Sequence, residues 1–88
     1  MAKYRVTFKK SVAKDLRGIP NQDVERILRR IDILASDPRG EGCMKLSAQE
    51  RYRVRQGPYR IVYEIRDDVL VVQVVKIARR SSACQSKR

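Results

Sequence analysis

The chain has 88 residues and a mass of 10.3 kDa, and its 21 Lys and Arg against 10 Asp and Glu give a net charge of +11. This length predicts one small domain over residues 1–88, and the charge favours a polyanionic partner: nucleic acid, an acidic protein or an anionic membrane. The hydrophobic content of 42% excludes a disordered basic tail, and the absence of histidine excludes Ser/His, Cys/His and paired-histidine chemistry.

The N-terminal half predicts one strand followed by two helices. Residues 3–8 alternate between apolar and polar side chains, which is typical of a half-buried strand, and residues 9–18 change to helical spacing. Asn21 can cap the second helix, and Pro38 ends it because the residue before a proline resists helical geometry. The apolar stripe of this helix consists of Val24, Ile27, Leu28, Ile31, Leu34 and Ala35. Its outer face carries Arg26, Arg29 and Arg30.

The C-terminal half predicts three strands. Residues 51–55 alternate strictly, residues 59–65 form a second strand, and residues 69–77 are nearly all apolar, as in a strand covered on both faces. The short turns between these strands force an antiparallel meander. Residues 37–43 predict a loop, and residues 78–88 predict a polar, basic tail.

The predicted fold is α+β, with the order β-α-α-β-β-β. The two N-terminal helices must pack on one face of the antiparallel sheet to bury their apolar stripe, which leaves the other face partly open. No apolar run is long enough to span a membrane, and no signal-peptide pattern is present, so we expect a cytoplasmic protein. We expect Cys43 and Cys84 to be reduced, and two cysteines without histidine do not make a common zinc site.

Arginines at alternate positions are the main chemical feature. Side chains two apart on a strand share a face, so Arg51, Arg53 and Arg55 point to the same side, and Arg60 can return to that side across the turn. Arg79 and Arg80 close the neighbouring strand. Guanidinium groups are permanent cations whose forked donors match phosphate oxygens, so this face predicts a phosphate site. The alternative is a solvated basic face on an edge strand.

The chain resembles the RelE/ParE superfamily of toxins, and within it the RelE-type, ribosome-dependent mRNA endoribonucleases. The specific part is Tyr-Arg-Val-Arg at 52–55 followed by Tyr-Arg-Ile-Val-Tyr at 59–63. Weaker matches lie at residues 4–11, at the Leu16…Ile19-Pro20 break, at residues 37–39, at Lys45-Leu46 and in the Val-rich last strand before Arg79-Arg80.

This resemblance implies a single RelE-like domain that cleaves mRNA in the ribosomal A site. It implies catalytic roles for Arg53, Arg55, Arg60 and Arg80, and RNA or ribosome contacts for Lys45, Arg51 and Arg79. It implies no cofactor and no metal, because the attacking 2′-hydroxyl belongs to the substrate. The implied partners are the ribosome with its mRNA and a cognate antitoxin, a small acidic RelB-like protein.

The chain departs from the RelE pattern at three places. Relatives often have lysine where this chain has Arg53, a tyrosine a few residues after the position of Arg80, and a histidine near Arg79. The resemblance therefore assigns no residue of this chain as the general base for mRNA cleavage. Two alternatives stay open: a ParE-type toxin that binds gyrase and lacks the arginine cluster, and a non-catalytic relative that binds the ribosome or RNA.

Overall fold

Three antiparallel strands near the C-terminus form the centre of the sheet, as the short turns predict. The computed structural model describes residues 3–46 and 51–79, which contain two helices and five strands. In chain order these are β1 (Arg5–Phe8), α1 (Lys10–Arg17), α2 (Asn21–Ser36), β2 (Met44–Leu46), β3 (Arg51–Gln56), β4 (Tyr59–Arg66) and β5 (Val71–Arg79).

The sheet differs from the expected one at both edges. Its strand order is β1-β5-β4-β3-β2, and β1 runs parallel to β5, so the sheet is mixed rather than wholly antiparallel. The alternation of residues 3–8 specifies a strand but carries no information about its direction relative to a partner. The added strand β2 has three residues, too few to show a period in the sequence.

Two element boundaries also differ from their predictions. Asn21 is the first helical residue of α2, with Pro20 at the cap position and no side-chain cap, so the expected Asn21 cap is wrong. The last strand begins at Val71, because Leu70 has a left-handed backbone with φ of 53° that cannot continue the strand. It extends through Ala78 and Arg79, for which the sequence predicts a tail. Residues 80–88 lie outside the described residues.

The core lies between the helix pair and one face of the sheet. Tyr59 and Tyr63 point into it, with 3% and 0% of their surfaces exposed. Leu28, predicted to belong to the apolar stripe, is 42% exposed, because the stripe is wider than the surface that the sheet covers. The core residues are Val12, Ile27, Ile31, Leu34, Val54, Tyr59, Ile61, Tyr63, Ile65, Val72, Val74 and Ile77. Cys43 carries a free thiol and packs against this core, whereas Cys84 lies outside the described residues.

Polar groups at the margin of the core fix the sheet to the helical layer. The Tyr63 hydroxyl donates to the carbonyl oxygen of Pro38 at 2.6 Å, and the Tyr59 hydroxyl donates to Asp23 on α2 at 2.9 Å. Burial, together with the bond to Asp23, raises the pKa of Tyr59. The backbone N–H of Ile77 donates to Asp15 on α1 at 3.1 Å. These bonds set the position of β4 relative to α2 and the loop that follows it, and the position of β5 relative to α1.

Within the described ranges, neither helix is both long enough and apolar enough to cross a membrane.

A cluster of polar side chains, the Asp67 clasp (Tyr4, Arg39, Tyr52 and Asp67), lies at the end of the sheet that contains the β4–β5 turn. Arg39 donates to both carboxylate oxygens of Asp67, at 3.1 and 2.7 Å, and Tyr4 donates to Oδ1 at 2.6 Å. Arg39 also donates to the Tyr52 hydroxyl at 3.1 Å. The hydrogen bonds from Arg39 and then Tyr4 lower the pKa of Asp67 to about 2. The clasp therefore joins the residue before β1, the loop after α2, β3 and the β4–β5 turn.

The clasp predicts an acid-sensitive contribution to stability. The folded-state pKa of Asp67 lies below its unfolded value of about 4, so its contribution is present above about pH 4 and is lost as the pH falls to about 2. We expect Asp67→Asn to lower the thermal midpoint at pH 7, and the difference from the wild type to shrink across that acid range. Differential scanning calorimetry would measure both.

The neighbouring Asp68→Asn variant is the matched control, because Asp68 is exposed and forms no ion pair in the described part of the chain. It should follow the wild type at every pH. A difference between Asp67→Asn and the wild type that stays constant down to about pH 2 would contradict the role of the clasp.

A candidate nucleic-acid interface

The sheet surface turned away from the helices, the open face, carries the predicted arginines. Tyr52 and Val54 point to the helices, so Arg51, Arg53 and Arg55 point the other way. The β3–β4 register pairs Arg55 with Arg60, and Arg53 with Val62. The open face comprises Arg51, Arg53, Arg55, Arg60, Val62, Glu64 and Lys76 on β3, β4 and β5.

Arg60 is in the least favourable electrostatic position on this face. It lies directly opposite another arginine, Arg55, and like charges at opposed strand positions are destabilising. Its Nε is buried and has no hydrogen-bond partner within residues 3–46 and 51–79. A buried donor left unsatisfied costs about 1–3 kcal/mol. A local conflict of this kind is typical of a binding or catalytic position.

The arginines of the open face divide into paired and unpaired groups. Arg51 binds Glu64 at 2.8 Å, and Arg66 approaches the same carboxylate at 3.9 Å, so the charge of Arg51 is largely neutralised. Arg53, Arg55 and Arg60 take part in no ion pair among the residues that the structure describes. The unpaired cations therefore cluster near the β3–β4 turn.

Arg79 does not lie on the open face, contrary to expectation. It pairs with the core-facing Tyr59, and its guanidinium sits 5.9 Å from the centre of the Tyr59 ring. A β-bulge near Val75 is the cause, since the register shift adds one residue to β5 and reverses the side of every residue after it. The same shift brings Lys76 to the open face, opposite Val62.

Of the two remaining sequence candidates, only Lys45 belongs to the described residues. Lys45 pairs with Tyr52 and so lies on the helix side of the edge strand β2. Arg80 lies outside the described residues. The structure thus brings Arg51, Arg53, Arg55 and Arg60 together, and places Lys45 and Arg79 on the other side of the sheet.

Arg30 is a further basic residue for which sequence reasoning predicts the wrong environment. The pattern favours a solvated helix face, but Arg30 is half-buried and donates from Nη2 to the carbonyl oxygen of Glu41 at 3.1 Å. It borders a hollow of about 370 Å³, here called the edge hollow, lined by Arg30, Gly42, Met44, Arg53, Val54 and Arg55. The available signal is its spacing of three residues from Ile27 and four from Leu34, which places it beside the apolar stripe.

The chemistry available at this surface is that of fixed cations. Arginine donates hydrogen bonds and remains protonated, so the cluster can orient a phosphate and stabilise extra negative charge on it. Among residues 3–46 and 51–79, no group of three or more His, Cys, Asp or Glu side chains is placed to hold a metal ion.

Comparisons with known proteins identify the family of the chain. A sequence profile described as ParE toxin of type II toxin–antitoxin system, parDE, matches residues 6–83. A Methanocaldococcus jannaschii protein named as a candidate toxin, RelE1, is 29% identical over 85 residues, which cover 92% of this chain and 94% of that protein.

Solved structures of RelE toxins have the same fold as this chain. The chain matches the archaeal RelE–RelB complex from Pyrococcus horikoshii with a TM-score of 0.76 and 29% identity, over 91% of this chain and 97% of that one. The isolated Escherichia coli RelE toxin matches with a TM-score of 0.77 and 20% identity, over 97% of this chain and 99% of that one, and at this identity it supports the fold alone.

The unsatisfied donor of Arg60 predicts that this position is not optimised for stability. Arg60→Met removes the buried donor and the like charge opposite Arg55, and keeps an apolar stem. We expect it to raise the free energy of unfolding by about 1 kcal/mol, as measured by urea denaturation at pH 7. Arg51→Met is the matched control on the same face, and it should lower the free energy of unfolding by about 0.2–1 kcal/mol because it breaks the ion pair with Glu64. Equal losses in both variants would refute the assignment.

Proposed function

Because the chain belongs to the ParE toxin family of type II toxin–antitoxin systems, within the RelE/ParE superfamily, we propose that it is a RelE-type endoribonuclease that cleaves mRNA in the ribosomal A site and stops translation. The observation that carries this proposal is the group of unpaired arginines, Arg53, Arg55 and Arg60, with a buried Nε of Arg60 that lacks a partner among the described residues. A phosphodiester would supply the negative charge that this group of arginines lacks.

The reaction needs a nucleophile that the substrate itself carries. The 2′-hydroxyl oxygen loses its proton and attacks the adjacent phosphorus, a new P–O2′ bond forms, and the P–O5′ bond breaks. The leaving 5′-oxygen takes up a proton, so the products are a 2′,3′-cyclic phosphate and a 5′-hydroxyl. Negative charge builds on the phosphoryl oxygens in the pentavalent transition state. Under this proposal, Arg60, assisted by Arg53 and Arg55, stabilises that charge. One well-aimed donor contributes roughly 10²–10³ in rate. The resemblance to RelE-type toxins assigns Arg80 to the same site, and Arg80 lies outside the described residues.

Arginine cannot take the proton from the 2′-hydroxyl, because its pKa exceeds about 12. The proton acceptor is therefore assigned to the ribosome or to solvent rather than to Arg53, Arg55 or Arg60. The ribosome also holds the mRNA in a reactive geometry, and orientation alone supplies about 7–11 kcal/mol. Under this proposal the reaction depends on the ribosome and requires no metal, and a toxin that acts on ribosomes works in the cytoplasm.

The toxin is inhibited by a cognate antitoxin under this proposal. The Pyrococcus horikoshii relative was solved as a complex of RelE with RelB. A net charge of +11 suits a small acidic RelB-like protein, whose segments would cover the basic surface. A short acidic reading frame beside this one would support the pairing.

Two other functions have a specific observation in their favour. The matched profile carries the parDE name, which favours gyrase inhibition. The lack of histidine anywhere in the chain favours a toxin relative that binds the ribosome without cutting mRNA. A DNA-gyrase supercoiling assay separates the first alternative from the proposal, and primer extension on translated mRNA separates the second.

Removal of the Arg60 guanidinium should abolish toxicity. We expect Arg60→Ala to relieve growth arrest on expression and to slow mRNA cleavage in a reconstituted translation system by roughly 10²–10³, because it removes one donor aimed at the phosphate. Arg80→Ala should behave alike. Arg29→Ala is the control, since Arg29 is 79% exposed and pairs with Glu25. Toxicity of Arg60→Ala equal to that of the wild type would remove Arg60 from the site.

The absence of a proton acceptor among the arginines predicts a strong preference for ribosome-bound substrate. We expect translated mRNA to be cut in the A site, and the same RNA without ribosomes to be cut poorly under matched conditions. Primer extension on both substrates would measure the ratio of the two rates. Efficient cleavage of the naked RNA would contradict the division of roles.

A further inference from the structure

We propose that Arg30 forms a second phosphate-binding subsite in the edge hollow, which holds the RNA backbone beside the Arg55–Arg60 pair. This inference rests on the proposed function, since it takes RNA as the ligand of the open face. It adds a residue from α2 to a site otherwise built from strands. The hollow lies where the helical layer meets β3, and Arg53 and Arg55 border it together with Arg30.

The loop after α2 holds the Arg30 guanidinium in place. Its Nη2 donates to the carbonyl oxygen of Glu41 at 3.1 Å, which uses one of the five guanidinium N–H donors. The next residue, Gly42, has a left-handed φ of 86°, and a Cβ at this position would lie 3.2 Å from Nη2 of Arg30. The glycine thus permits the turn and leaves room for the guanidinium. Arg30 is half-buried and pre-positioned, unlike a freely moving surface arginine.

The charges around the hollow have no counter-ion among the described residues. Arg30, Arg53 and Arg55 form no ion pair in that part of the chain, and the other lining residues are Gly42, Met44 and Val54. On the same helix, the neighbouring Arg26 and Arg29 approach Asp23 and Glu25 at 3.9 and 4.0 Å. Three permanent cations around one hollow repel one another, and a bound anion relieves that repulsion.

The hollow is continuous with the proposed reaction site, which favours RNA over a single small anion. Arg55 borders the hollow and also lies directly opposite Arg60. Strand β2 begins at Met44, which pairs with Arg53, so no described strand covers the outer edge of β3 at residues 54–56. The unpaired arginines therefore follow a path from Arg60 across this edge to Arg30. A ligand with repeated phosphates can occupy the whole path.

The salt dependence of RNA binding tests this subsite. Fluorescence anisotropy of a labelled oligouridylate of about 12 nucleotides, titrated at several salt concentrations, gives the slope of log K against log[salt]. Each phosphate contact to a single strand contributes about −0.7 to that slope. We expect Arg30→Gln to make the slope shallower by about 0.7, as Arg55→Gln should, and an oligoadenylate should give the same change because phosphates carry no base identity.

Two control variants separate charge from structure. Arg29→Gln removes a charge from the adjacent position of α2, where the guanidinium is 79% exposed and pairs with Glu25, and its slope should equal that of the wild type. Arg30→Lys keeps the charge, and its slope should stay within about 0.2 of the wild-type slope, well under one contact. An Arg30→Lys slope as shallow as that of Arg30→Gln would overturn the phosphate contact in favour of a purely structural role.

The outcomes distinguish this inference from the proposed function. If Arg55→Gln flattens the slope and Arg30→Gln does not, the subsite is refuted while the open face remains an RNA-binding surface. The subsite is also refuted if the wild type shows no salt-dependent binding but still cleaves translated mRNA. Failure of the wild type to cleave translated mRNA refutes the proposed function, and the slopes then decide separately whether Arg30 contacts RNA.

Discussion

The register of the β3–β4 hairpin is the constraint on which the rest of this molecule depends. Strand side chains alternate with a period of two, so a slip of one residue would exchange the core-facing and open-facing sets. Tyr59 and Tyr63 hold the register, because both rings are buried and both hydroxyls bond to the helical layer, at Asp23 and Pro38. With the tyrosines fixed inward, Arg60 is fixed outward and opposite Arg55.

The same hairpin carries an unfavourable concentration of charge. An unsatisfied buried donor and two opposed arginines work against folding, and they persist because the core residues and the Asp67 clasp supply stability elsewhere. A sheet selected for stability alone would place an acidic residue opposite Arg55, as it does opposite Arg51, where Glu64 forms the ion pair. The contrast between these two cross-strand pairs distinguishes the ion-paired end of the hairpin from the end that we propose binds phosphate.

Sequence reasoning predicted the features that depend on local periodicity. Alternation was sufficient to place Arg51, Arg53 and Arg55 on one face, and a turn of known length brought Arg60 to the same face. It failed for Arg79, because the bulge in β5 depends on packing against β4 and on the bond from the Ile77 N–H to Asp15. It also failed for Arg30, whose environment is made by a loop distant in sequence from β3. The direction of β1 and the three-residue strand β2 left no periodic signal.

The separation of paired and unpaired arginines along the hairpin also shapes the field around the protein. Near the β4–β5 turn, Asp67 neutralises Arg39, and Glu64 neutralises Arg51, so that end presents little net charge. Near the β3–β4 turn, Arg55 and Arg60 keep their full charge. Along the described part of this hairpin, the positive potential is therefore stronger near the β3–β4 turn, which favours encounters in which a polyanion approaches that turn. Added salt shortens the range of this attraction to about 8 Å at physiological ionic strength, so the orienting effect is strongest in dilute buffer.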